Sequence, residues 1–143
     1  MEEIHTRLHT ALIAASLAHK KRCRQEFQRL NLSDGQPKIL SILNQKEGYL
    51  QKELALRCHI EQATLTTILA NMTNKGLIYK DVRHVSGGKR AFAVFLTDKG
   101  RLLANQVTTI VDDMEQLSFQ GFTDEEKNLL ISLLSRLEIN LNE

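Results

Sequence analysis

The sequence predicts a mainly α-helical chain with one small β-hairpin wing, set between long helices at both ends. Three observations predict it. There is one proline, Pro37, no tryptophan, and abundant Leu, Ala, Lys and Gln, a composition that favours helix. Apolar residues recur at spacings of three and four over most of the chain. Alternating patterns occur only at 77–83 and 91–96, on either side of a glycine-rich basic segment.

The elements follow in order. Over residues 3–30, Ile4, Leu8, Leu12, Ala15, His19, Cys23, Phe27 and Leu30 form one stripe on a long helix. A helix of that length cannot bury its stripe against a small domain, so its outer turns are expected to meet another chain. Ser33-Asp34-Gly35-Gln36 reads as a capping box opening a second helix. Pro37 sits in that helix's first turn, where a missing N–H costs least. Ile39, Leu40, Ile42 and Leu43 give its apolar face, and Gly48 falls at a turn. Residues 50–57 read as a short helix with Leu54 and Ala55 inward, followed by the connection Cys58-His59-Ile60. A third amphipathic helix runs from about Glu61 to Lys75, with Leu65, Ile68, Leu69 and Met72 on one face and Gly76 ending it. Strands at Leu77–Arg83 and Ala91–Leu96 flank the flexible tip His84-Val85-Ser86-Gly87-Gly88-Lys89-Arg90. Thr97 caps a long helix beginning at Asp98, with Leu102, Leu103, Val107, Ile110, Val111, Met114 and Leu117 inside. Thr123-Asp124-Glu125-Glu126 is a second capping box, opening a helix that carries Leu129, Leu130, Leu133, Leu134, Leu137 and Leu141.

At 143 residues the chain is one domain with enough length for a core. Its parts are a lobe at 33–97 and dimerisation helices at 1–32 and 98–143. No apolar run approaches the roughly 18 residues that cross a bilayer. Met1-Glu2-Glu3-Ile4-His5 lacks the basic and apolar parts of a signal peptide, so a cytoplasmic protein is expected. Two cysteines, Cys23 and Cys58, make neither a disulfide framework nor a zinc pattern. The net charge of +2 hides an asymmetry. Residues 20–90 hold fourteen Lys and Arg against six Asp and Glu, a net +8, while 91–143 carry −5. A polyanion-binding lobe beside an acidic one produces that distribution.

Residues 50–96 give short helix, tight turn, second helix, strand, basic loop, strand. Two helices across a three-residue turn make a helix-turn-helix, and the hairpin makes it winged. A helix fits the major groove of duplex DNA, where its polar face can meet base edges and phosphates. Here that face shows Gln62, Thr64, Thr66, Thr67, Asn71, Asn74 and Lys75, mostly short side chains that let the backbone approach. Gln62 suits an adenine edge, and the threonines suit phosphate or a thymine methyl. Lys89 and Arg90 extend from the hairpin, where an arginine can enter a narrow minor groove. Gln51 and Lys52, at the start of the first motif helix, are placed for phosphate.

The chain resembles the MarR family of bacterial winged-helix regulators. The resemblance rests on Leu30-Asn31-Leu32-Ser33-x-x-Gln36, Gln51-Lys52-Glu53-Leu54-Ala55, Thr64-Leu65-Thr66, Asn74-Lys75-Gly76-Leu77-Ile78, Lys89-Arg90 and Leu96-Thr97-Asp98-Lys99-Gly100. It implies a two-fold dimer built from the terminal helices, with one winged helix per subunit. It also implies a crevice between the two lobes that takes small phenolic or lipophilic effectors, and a repressor on an inverted-repeat operator. The chain departs from the family pattern at Gly88, where an acidic residue is usual, at Thr67, where a basic one is common, and at Pro37, where an apolar or aromatic one is usual.

Cys23 lies between Arg22 and Arg24 with His19 one turn earlier, and nearby positive charge favours a reactive thiolate and a redox role. Against that, it sits on the apolar stripe, where a free cysteine is often simply buried. Cys58 is expected to pack beneath the motif. His5 and His9, near Glu2 and Glu3, read as solvated histidines at a fraying terminus rather than a metal site. No cofactor or metal is expected. No nucleotide loop, paired catalytic carboxylates or nucleophile signature is present in the sequence, which speaks against an enzyme. The alternative to DNA binding is a winged helix that docks a protein.

Overall fold

In the computed structural model, which describes residues 5–143, six helices and three strands follow one another. They are α1 (Leu8–Gln28), α2 (Gln36–Gln45), β1 (Tyr49–Leu50), α3 (Gln51–Cys58), α4 (Gln62–Asn74), β2 (Ile78–His84), β3 (Arg90–Leu96), α5 (Asp98–Ser118) and α6 (Asp124–Leu141). The chain divides into two compact units, one ending at Val111 and one spanning Asp112–Glu143. Ile4, Glu2 and Glu3 lie outside the described residues.

The core belongs to the first unit. Ile39, Leu40 and Leu43 from α2, Leu54 and Cys58 from α3, and Leu65, Leu69 and Met72 from α4 are fully buried together. Leu77, Ile78, Val94 and Leu96 close the cluster from the sheet, and Ala104 and Val107 from α5. The sheet order is β1-β3-β2, antiparallel throughout, with Tyr49 opposite Val94, Ile78 opposite Leu96 and His84 opposite Arg90. Strand β1 is not foreseen by the sequence reading, which begins a helix at Leu50. Leu50 is instead extended, pairs with Ala93, and donates its N–H to Glu53 Oε1 at 3.0 Å, so α3 begins at Gln51.

The second correction concerns the start of α2. Gly35, with φ 88°, is the residue that turns the chain into this helix, and no side chain caps it. Only half of the expected box forms: Gln36 Oε1 accepts from the Ser33 N–H at 3.2 Å, while the Ser33 hydroxyl plays no capping part. Gln36 itself is buried. The long first helix starts at Leu8, after extended Arg7, and the part of its expected range before residue 5 lies outside the described residues.

Two helix starts match expectation. Thr97 Oγ1 accepts from the Gly100 N–H at 3.0 Å and donates to the Gly76 carbonyl at 2.6 Å, fixing α5 to the end of α4. Gly100 lies against the Leu77 carbonyl, where a Cβ would collide with the backbone. Thr123 and Glu126 form the reciprocal box at α6, with bonds of 3.1 and 2.9 Å. In the second unit Phe119 and Phe122 stack edge to face across the turn into α6.

The terminal helices differ from the core in one respect: no residue of α1 or α6 is buried. The C-terminal end of α1 does reach the core through Phe27, partly buried against it, while Leu8, Leu12 and Leu17 are exposed. In α5 the expected inward set is only partly inward. Val107 is buried, but Leu102, Val111 and Leu117 are exposed because the core ends before the helix does.

Candidate nucleic-acid interface

Helices α3 and α4 meet through a left-handed turn. His59 (φ 55°) reverses the chain, and the Ile60 N–H returns to the Ala55 carbonyl at 3.0 Å. Leucines 54, 65 and 69 lock the two helices from below, which leaves the upper side of α4 outward. No side chain caps the N-terminus of α3 or α4 through its own oxygen, so both first turns present backbone N–H groups suited to an anion.

The ten residues singled out from the sequence fall into two groups. Lys52, Gln62, Thr64, Thr66, Thr67, Lys89 and Arg90 are exposed, and Gln51 is half-buried at the first turn of α3. Two others, exposed Asn71 and half-buried Lys75, are hydrogen-bonded within the chain. Lys75 Nζ donates to the Asn31 carbonyl at 2.8 Å and to Gln36 Oε1 at 3.2 Å, and Asn71 Oδ1 accepts from Gln36 Nε2 at 2.9 Å. These bonds occupy the Lys75 ammonium in joining the end of α4 to the turn after α1. Gln36, only 1% exposed, is the centre of this cluster. The sequence reading treats it as a capping residue, and nothing local signals partners 35 and 39 residues away.

The hairpin tip is a single tight turn at Ser86–Gly88, with Gly87 and Gly88 at positive φ. Val85 N–H to the Lys89 carbonyl, 2.9 Å, closes it and directs Lys89 and Arg90 outward. Further cations lie along the wing on aromatic faces: Arg83 over Phe95, itself stacked on Tyr79, and Lys80 over Phe92. At the wing root, Glu47 accepts from the Leu96 N–H at 2.7 Å and from Arg101 at 2.6 Å. Burial opposes ionisation of Glu47, but the hydrogen bonds from Arg101 and Leu96 and the charge of Arg101 outweigh it and hold the carboxyl below its ordinary value.

The cysteines differ from the redox expectation. Burial pushes the Cys23 thiol up, and Arg24, one of the cations expected to lower it, is paired in bidentate fashion with Asp34. His19 approaches the Cys23 sulfur at 3.7 Å. Cys58 is buried, as expected beneath the motif. Its thiol is pushed up to about 11 by burial, against a smaller opposing effect of Lys38. His5 precedes α1, so it and His9 are not set one turn apart on a helix. Among the described residues no cluster of three or more His, Cys, Asp or Glu could hold a metal ion. No helix among them is long and apolar enough to cross a membrane.

A cavity of about 590 Å³ opens beside this unit's first turn, lined by Arg24, Gln28, Asn31, Leu32, Ser33 and Asp34. Asn31 thus faces the cavity and also accepts from Lys75.

Comparison with known proteins places this geometry. Residues 32–84, from the turn before α2 to the end of β2, match the MarR family. The homoprotocatechuate degradative operon repressor of Escherichia coli is 28% identical over 131 residues, covering 92% of this chain and 87% of that protein. Residues 32–84 thus carry a MarR-family match, and the chain over most of its length is similar to proteins of that family. A MarR-family transcriptional regulator from Listeria monocytogenes, solved with a 26mer DNA, superposes with a TM-score of 0.82 at 25% identity, covering 99% of this chain and 90% of that one. NadR in complex with 4-hydroxyphenylacetate gives 0.75 at 25% identity, covering 96% of each. The likeness to solved structures therefore extends beyond residues 32–84 to the terminal helices, and the Escherichia coli and Listeria monocytogenes relatives are an operon repressor and a transcriptional regulator.

Proposed function

We propose that the protein is a sequence-specific double-stranded-DNA-binding transcriptional regulator of the MarR family, acting as a homodimeric repressor. The observation that carries this reading is the pairing of an outward, uncharged polar helix α4 with a projecting basic tip at Lys89 and Arg90 on one compact unit. α4 enters the major groove, Gln51, Lys52 and the first-turn N–H groups of α3 meet phosphate, and Arg90 follows the adjacent minor groove. Asn71 and Lys75 hold α4 in place rather than touch DNA. The reading is of a regulator, not a catalyst.

The exposed leucines of α1 and α6 support a dimer, since apolar stripes of that length are covered by a partner in stable proteins. Two copies place two reading helices on an inverted repeat. The cavity beside Arg24 has the volume of a small-molecule site. A phenolic or lipophilic effector seated there would release DNA by favouring a spacing of the two reading units that no longer fits adjacent grooves.

The test is duplex binding across a salt series. Affinity should fall by orders of magnitude between low and moderate salt. Arg90→Ala should lower the salt slope by about one. Binding that ignores salt would instead favour a protein-docking winged helix, a reading to which the absence of Lys and Arg from α4 lends some support.

A further inference from the structure

The side of α4 that would face DNA lacks charge and mixes small apolar groups with uncharged polar ones. Leu65, Leu69 and Met72 are buried and Ile68 half-buried. At about 100° per residue the opposite face carries Ala63, Thr67, Ala70 and Asn74. No Lys, Arg, Asp or Glu occurs from Gln62 to Asn74. The Thr66 and Thr67 hydroxyls donate back to the Gln62 and Ala63 carbonyls at 2.9 and 3.5 Å. The Thr66 hydroxyl is thereby engaged as a donor, the Thr67 contact lies at the limit of hydrogen-bond distance, and each threonine offers a methyl group outward. Lys75, the first cation after the helix, is held by Asn31 and Gln36.

In the major groove guanine shows two acceptors, best met by Arg or Lys, whereas thymine shows a methyl group met by apolar contact. We infer that Ala63, Thr67 and Ala70 are specificity-determining residues that read thymine 5-methyl groups, so that the core of each half-site is A·T-rich. Gln62 complements them on an adenine edge. This rests on the DNA-binding reading, but it is separable from it. Affinity for phosphate lies with Lys52, Lys89 and Arg90, whereas base preference lies with side chains that carry no charge.

The experiment uses the full-length protein to select from random duplexes at moderate salt. The enriched duplex is then resynthesised with deoxyuridine replacing single thymines in the half-site core, which removes only the methyl. The expected result is an A·T-rich core in which one or more thymine-to-uracil changes weaken binding about four-fold each. Thr67→Ser, which keeps the hydroxyl and loses the methyl, should bring the thymine-to-uracil ratio toward one at a single position while leaving the salt slope unchanged. Cores centred on G·C pairs, uracil bound as well as thymine throughout, or a ratio unmoved by Thr67→Ser would overturn the inference while leaving salt-dependent duplex binding intact. Failure to bind any duplex would defeat the DNA-binding reading itself, and this inference with it.

Discussion

Leu65 and Leu69 in α4 are wholly buried, while Leu129 and Leu133 in α6, at the same four-residue spacing, are exposed. The same residue type in the same pattern thus meets two different fates. In the winged part, three helices and a sheet converge, and the apolar faces close on one another within one chain. In α6 no leucine is buried, and much of α1 is similar. The difference teaches that hydrophobic periodicity specifies a helix and its face, but not whether the partner for that face comes from the same molecule.

The comparison breaks first at α6. If a second copy covers its leucines, Leu130→Glu combined with Leu134→Glu should yield a monomer by sedimentation equilibrium and weaken operator binding by about 100-fold through lost bivalency. A variant that stays dimeric with unchanged DNA affinity would exclude α6 from the interface. Next comes the self-contained part. Gly100→Ala places a Cβ against the Leu77 carbonyl, so α5 must move, at a cost of about 3 kcal/mol measurable by denaturant unfolding. A loss below about 0.5 kcal/mol would show that the α5 junction is looser than its geometry.

A smaller effect separates the two kinds of lysine. Lys75→Met should lower stability by about 1 kcal/mol through loss of its hydrogen bonds to Asn31 and Gln36, with the salt slope of DNA binding unchanged. Lys89→Met should do the reverse, lowering the slope by about one with little change in melting temperature. The smallest effect is in acid. Because the Glu47 carboxyl is held below its ordinary value of 4.5, its stabilising contribution is complete above that pH. It is lost as pH falls through the lowered value, when protonation weakens the Arg101 and Leu96 contacts. Glu47→Gln should therefore melt lower than the parent at pH 7, with the gap narrowing below pH 4.5. A gap independent of pH would remove Glu47 from the titrating set.

Much of the fold was legible because its signals are local. The Thr123-Glu126 box, the Thr97 cap and Gly76 with φ 74° each act within a few residues, and each formed as read. Strand β1 was not legible: two residues have no period, and Tyr49–Leu50 becomes a strand only because β3 lies alongside. The box at Ser33 misled because Gly35 adopts a left-handed conformation that takes the serine away from the helix start. The inward bonds of Asn71 and Lys75 were hidden for a related reason. A polar residue near a helix end looks free in sequence, and only the approach of Gln36 gives Asn71 and Lys75 a partner within the chain.

The placement of Cys58 supplies a built-in clock. Its sulfur lies at the junction of α2, α3 and α4, fully shielded, with a thiol that stays protonated at neutral pH. An alkylating reagent can reach it only when those helices part, so the rate of its modification measures how often the motif opens, with no label added to the chain.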